Sequence, residues 1–225
     1  MTRRMIFPLL FGLVGAVVLI ALGIWQVQRL AWKEEALARI EARIAAAPVV
    51  LPAAPDPARD EYLPVTITGH WGTGALRVLA SVRQVGAGHR MIRVLETGDG
   101  GRVLVDRGFL PDGAMPGPLS EKEVTVTGNL HWPDEVDGFT PEPDLESGLW
   151  FARDVPAMAA ALDTRPVLVV ARRVAPGDPS LMRLPVSTAG IPNDHLEYAI
   201  TWFSLAAVWL GMTGLLVWRI RRKTD

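Results

Sequence analysis

Three residues near the C-terminal end are of types that can do chemistry together. His195, Tyr198 and Trp202 recur at intervals of three and four, so on a helix beginning near Asn193 they share one face. An imidazole is the commonest axial ligand of haem iron and needs no cysteine beside it. Large aromatics on the same face can pack on a porphyrin. The plainer reading is a helix entry N-capped by Asn193, with aromatics anchored at a membrane interface. On spacing alone that reading is the stronger. A second cluster, Gln26, Arg29 and Lys33, has the same spacing near the N-terminal end. Two cations there can pair with anionic groups such as haem propionates. Snorkelling to lipid phosphates is the bland alternative, favoured on composition.

Other chemistry finds little support. The 225 residues contain no Cys, which removes disulfides, thiol nucleophiles, Cys-ligated metals and covalent c-type haem. A net charge of −1 excludes electrostatic nucleic-acid binding, which needs a dense basic patch. His131 with Asp134, Glu135 and Asp137 has neither zincin nor EF-hand spacing and reads as a solvated acidic loop. The glycine pairs Gly72/Gly74 and Gly86/Gly88 lack a dinucleotide-binding context and read as turns. There is no nucleophile elbow and no phosphate loop. Asp106 and Arg107 read as a local ion pair, and His70 and His89 as structural. An enzyme is not expected.

The elements that position these residues begin with two apolar runs. Met5–Gln28 and Tyr198–Trp218 carry no charge, and about 20 apolar residues suffice to span a bilayer. Trp25, Trp32, Trp202 and Trp218 read as interfacial belt residues. The first run is too long for a signal-peptide core, so a cleaved leader, hinted at by Arg3-Arg4, is the weaker reading. Gly12/Ala16 and Ala207/Gly211 would let helices approach closely. Basic residues Arg219, Arg221, Arg222 and Lys223 follow the second run, while Arg29–Glu197 holds 17 basic and 23 acidic residues. This favours cytoplasmic tails at 1–4 and 219–225, spans at 5–28 and 193–218, and a central domain outside. The tails are too short for a two-span sensor.

Trp25–Ala47 lacks Gly and Pro, so the first helix continues beyond the membrane. Pro48, Pro52, Pro55 and Pro57 then make a linker, with helix extension and linker together covering 29–58. Period-two alternation at Tyr62–Trp71 predicts a strand. Further strands are predicted at Leu76–Val82, His89–Thr97, Arg102–Leu110, Glu123–His131 and Pro166–Val174. A hairpin is predicted at Gly98–Gly101, and a short helix at Val155–Leu162. The fold class is α+β: two transmembrane helices flanking a mostly antiparallel, barrel-like β domain at 59–192.

Three stretches carry a family resemblance. Leu22-Gly-Ile-Trp-Gln-Val-Gln-Arg-Leu-Ala-Trp-Lys33 resembles the first signature of the Surfeit locus protein 1 family. Val103-Leu-Val-Asp-Arg-Gly-Phe109 resembles its central strand, and Asn193-Asp-His-Leu-Glu-Tyr-Ala-Ile-Thr-Trp-Phe203 its C-terminal signature. The resemblance implies an assembly factor for cytochrome c oxidase, linked to insertion of haem a into the large catalytic subunit. It places the family histidine on His195, as haem-iron ligand, with Tyr198 and Trp202 in support. Trp25, Gln26 and Arg29 match the first motif. Asp194 departs from a common Asn and adds a negative charge beside His195. The implied partners are the oxidase catalytic subunit, haem a synthase and membrane lipids, with homo-oligomerisation left open. The implied place is a bacterial inner membrane with the central domain in the periplasm. A docking scaffold that binds no haem itself is the alternative.

Overall fold

The computed structural model describes residues 3–222; Lys223 of the basic tail lies outside them. In chain order the elements are α1 (Arg3–Ala45), β1 (Val49–Val50), α2 (Pro57–Asp60), β2 (Pro64–Val82), β3 (Gly86–Thr97) and β4 (Arg102–Pro111). They continue with β5 (Val124–Leu130), β6 (Leu149–Trp150), α3 (Val155–Leu162), β7 (Leu168–Ala175) and α4 (His195–Arg222). The chain forms two compact units. One comprises the residues up to Arg39 and from Thr188 onward, the other Ile40–Ser187.

The second unit is a closed β-barrel. Strands β2, β3, β4, β7 and β5 pair in that order, and β5 pairs back onto β2. Closure leaves none of these five strands with a fully open edge. The sheet is mixed: β4 and β7 run parallel through Leu104–Asp106 and Leu168–Val170, whereas the other ring pairings are antiparallel. The parallel pair follows from the order of the chain, which passes through β5 and α3 before returning beside β4.

One long strand makes the closure. The first half of β2 pairs with β5, the second half with β3. The expected strands at Tyr62–Trp71 and Leu76–Val82 are therefore a single strand, irregular between Trp71 and Ala75. Gly72 and Gly74 form no turn between strands. Gly74, at φ +98°, instead supplies the backbone freedom that bends the strand at its bulge. Gly69 serves close approach: a Cβ there would stand 2.1 Å from the carbonyl oxygen of Glu96.

The inner face of the wall is packed, and α3 covers part of the outer face. Inside lie Val65, Ile67, Leu95, Val103, Val105, Val124 and Val169 with their neighbours. Outside, α3 packs Met158 and Ala159 on Ile92, Leu104, Leu168 and Val170. Residues 103–110 of β4 are consequently all buried. Helix α3 starts where Asp154 accepts from the Ala157 amide at 3.0 Å and ends at Asp163 in the left-handed conformation. The expected helix bounds coincide with the observed ones. The last turn of α1, which belongs to this unit, is held where Asn129 and Arg172 donate to the Ile44 carbonyl at 3.1 and 3.2 Å. Basic and amide donors there satisfy a carbonyl that has no intrahelical partner.

Asp106 and Arg107 do not pair with each other. Adjacent strand residues point to opposite faces, so each finds a partner far along the chain. Asp106 accepts from Arg90 Nε at 2.5 Å, and Arg153 lies 3.9 Å away. Arg107 donates to Asp178 at 3.1 Å. His131 pairs with Glu61 at 2.6 Å and His89 approaches Asp112 at 3.3 Å, whereas His70 is exposed. The acidic loop is partly tied down, since Glu135 accepts from the Arg153 amide at 2.9 Å and from its guanidinium.

Burial pushes the Asp178 carboxyl up, but hydrogen bonds from Ser180 and the Arg107 charge outweigh it and hold the group below its ordinary 3.8. A group whose pKa is depressed on folding stabilises the fold above its unfolded value, and that stability is lost as pH falls through the folded value. The expected result is that Tm falls on acidification below about pH 4, and that the Asp178→Asn protein shows a smaller fall over the same range. Equal acid sensitivity of the two proteins would remove Asp178 from the account.

Candidate functional site

The first unit is an antiparallel pair of helices long and apolar enough to cross a membrane. The most apolar 18-residue window of α1 has a mean hydropathy of 2.6, and that of α4 has 1.8. Their contacts step in opposite directions along the two helices. A Cβ on Gly12 would meet Thr213, one on Gly15 Trp209, and one on Gly23 Phe203. Trp209 Nε1 donates to the Gly12 carbonyl at 2.9 Å, and Ala16, Ala199 and Ala206 are buried. Small residues lower the separation at which two helices can pack. The Gly12/Ala16 part of the expected small-residue face is observed. Ala207 is exposed, and nothing lies within 4 Å of a Cβ on Gly211, so α4 presents Ala199, Ala206, Trp209 and Thr213 instead. No small-residue spacing marks Trp209 or Thr213, and that face was hidden in the sequence.

At one end of this pair the two motifs meet. His195 opens α4, whose first turn closes where the Tyr198 amide donates to the Asp194 carbonyl at 3.1 Å. The cap position thus falls to Asp194 rather than Asn193. Gln26 is buried in α1. Its Oε1 stands 2.7 Å from His195 Nδ1; in the Nδ1–H tautomer the ring donates to the amide oxygen. Nε2 is then the nitrogen with the free lone pair. An amide in an apolar helix must find a partner when buried, and this one finds the imidazole.

The other candidates surround that bond unevenly. Trp25 is adjacent to Gln26, and Tyr198 lies one turn beyond His195. They are 53% and 55% exposed and face away from the helix contact. Trp202 is half-buried. Arg29 does not reach toward His195; its guanidinium lies over the Trp32 ring, 4.1 Å from the centroid, a favourable cation–π arrangement. Lys33 is half-buried one turn further on. The structure therefore brings Gln26 and His195 together, and leaves Arg29 and Lys33 as a separate cationic stripe on α1. Among the described residues no three His, Asp or Glu side chains converge as a metal cage would require.

The model of the SURF1 family matches residues 13–207. The chain belongs to the SURF1 family. Its relatives include Surfeit locus protein 1 of Rattus norvegicus, 30% identical over 210 residues, which span 83% of this chain and 68% of that one. The Homo sapiens protein of the same name is 30% identical over 211 residues, 83% and 69% of the two chains. A SURF1-like protein of Monosiga brevicollis is 32% identical over 216 residues, 87% and 82%. The matched segment of this SURF1-family chain includes both helix motifs and the whole barrel between them.

Proposed function

We propose that this chain is an assembly factor for cytochrome c oxidase, a carrier that holds haem a on His195 and passes it to the large catalytic subunit. The hydrogen bond between Gln26 and His195 carries this reading. Ligating histidines commonly donate their second ring N–H to a neighbouring acceptor, which fixes ring orientation and raises basicity. Gln26 is such an acceptor, and Nε2 is the nitrogen it leaves for iron. The residues present fit a haem in this respect: an imidazole oriented by Gln26, with exposed flat side chains at Trp25 and Tyr198 on the same two helix ends. Haem a, as cargo, supplies an iron that an imidazole can bind axially.

The chain's own part is to bind, orient and release. His195 would hold the iron, Tyr198, Trp202 and Trp25 would offer flat faces to the macrocycle, and Arg29 and Lys33 would attract the propionates. No covalent step is needed, and the chain is not an enzyme in this reading. Haem a synthase would supply the cargo within the bilayer. Transfer onward runs downhill only if the oxidase subunit binds haem a more tightly. Arg219, Arg221 and Arg222 after the second span favour a cytoplasmic side for that end of a bacterial inner-membrane protein, with the barrel in the periplasm.

A second reading rests on the same bond. Gln26–His195 also serves as a polar clasp between two helices, which suits a docking scaffold that binds no haem. The test is the visible absorption spectrum of the intact chain, purified in mild detergent from cells that make haem a. A haem a band supports the carrier. Its absence, while the oxidase subunit still co-purifies, establishes the scaffold.

A further inference from the structure

One end of the barrel interior is charged. The inward positions of β4 run Val103, Val105 and then Arg107, and those of β3 run Leu95 and then Arg93. Trp71 continues the inward face of β2 after Val65 and Ile67. The period of two thus leads from an apolar interior to two guanidiniums and an indole at the same mouth. Arg107 is buried, with its guanidinium 5.1 Å from the Trp71 ring centroid. A cleft of about 250 Å³ opens there, lined by Trp71, Arg107, Ser120 and Asp178 among others.

The charges do not balance. Asp178 accepts from Arg107 at 3.1 Å, and from the Ser180 hydroxyl and amide at 2.5 and 2.9 Å. Its acceptor capacity is largely used. Arg183 donates to the Arg107 carbonyl, and both Arg183 and Arg93 stand close enough to repel Arg107. Asp106, on the opposite face of β4, is occupied by Arg90 and the Gly108 amide, and Glu135 by Arg153. The connected network holds Arg90, Arg93, Arg107, Arg153 and Arg183 against Asp106, Glu135 and Asp178, a surplus of two positive charges. Arg93 Nε is buried without a hydrogen-bond partner among the described residues. Arg107 is buried and Arg93 and Arg183 are half-buried; cations withdrawn from water normally have a counter-charge, because desolvation disfavours the charged form.

We propose that the barrel mouth is an oxyanion site, taking a carboxylate or phosphate group against Arg107 in the cleft walled by Trp71 and Ser120, with Arg93 and Arg183 supplying the field. Planar guanidinium forks match both groups in geometry. At ~30 Å³ per water, the cleft has room for about eight waters, enough for a phosphate or a short dicarboxylate. The site is built from the barrel alone and does not depend on the haem reading.

The test follows Tm of the full chain in neutral detergent against rising inorganic phosphate, succinate, and a short-chain phosphatidylglycerol, each with chloride at matched ionic strength as control. A ligand that binds only the folded state raises Tm with concentration. A rise with phosphate or succinate beyond chloride assigns a free oxyanion, and a rise with the lipid alone assigns a headgroup. Arg93→Gln is expected to weaken the response by roughly tenfold in concentration, since one charge of the field is gone. In anion-poor buffer the same variant is expected to melt no lower than the parent, because it removes surplus positive charge. No response beyond chloride in any arm overturns the proposal. So does an Arg93→Gln protein that melts lower while its anion response stays intact.

Discussion

The His195→Ala protein is expected to lose the haem a band entirely while keeping its β domain folded. No other side chain at that end of the helix pair offers an imidazole, and the barrel core does not include His195. The neighbouring variant separates ligand from clasp. Gln26→Leu removes the acceptor for Nδ1 but leaves the ring in place, so haem retention is expected to fall about 10–100-fold rather than vanish, the usual cost of losing such a partner. His195→Gln keeps a polar group for Gln26 and abolishes the nitrogen ligand. It is expected to behave as His195→Ala in the spectrum and as the parent in Tm. If all three variants lower Tm alike and bind haem a as the parent does, His195 is a clasp between helices and the carrier reading is wrong.

Asp106→Ala is expected to be the most destabilising single change in the barrel. The carboxylate is fully buried between Arg90 and Arg153 and also accepts from the Gly108 amide at 3.0 Å. Removing one member of a buried charge pair typically costs about 3–5 kcal/mol, because the remaining charge has lost its partner. For a domain of this size that is a fall in Tm on the order of 10 °C. The double variant Arg90→Met, Asp106→Leu removes both charges and is expected to recover part of the loss. A single variant within about 1 kcal/mol of the parent in denaturant titration would mean that Arg90 and Arg153 find other partners.

Much of this architecture was legible in the sequence. Hydropathy marks the two long helices because about 20 uncharged residues have few other uses. Period-two alternation placed β3, β4, β5 and β7 to within a few residues, and the missing Gly and Pro over Trp25–Ala47 predicted the helix extension, which ends at Ala45. Sequence also named both His195 and Gln26, each by its helical spacing with neighbours at the edge of an apolar run and by its place in a family motif. These are local signals, and each depends only on neighbours along the chain.

Pairings between distant residues needed the tertiary structure. Gln26 meets His195 across 169 positions, and nothing local sets the stagger of two antiparallel helices. That stagger also chose Trp209 and Thr213 over Ala207 and Gly211. The parallel β4–β7 contact, the merging of two expected strands into β2, and the divergence of Asp106 from Arg107 have the same origin. Closing a five-stranded ring sets which strand lies beside which and which face is inward. The surplus of arginine at the barrel mouth became visible only then. Sequence determined the elements and the chemical types available. The helix crossing and the closed ring decided which of those groups share a site.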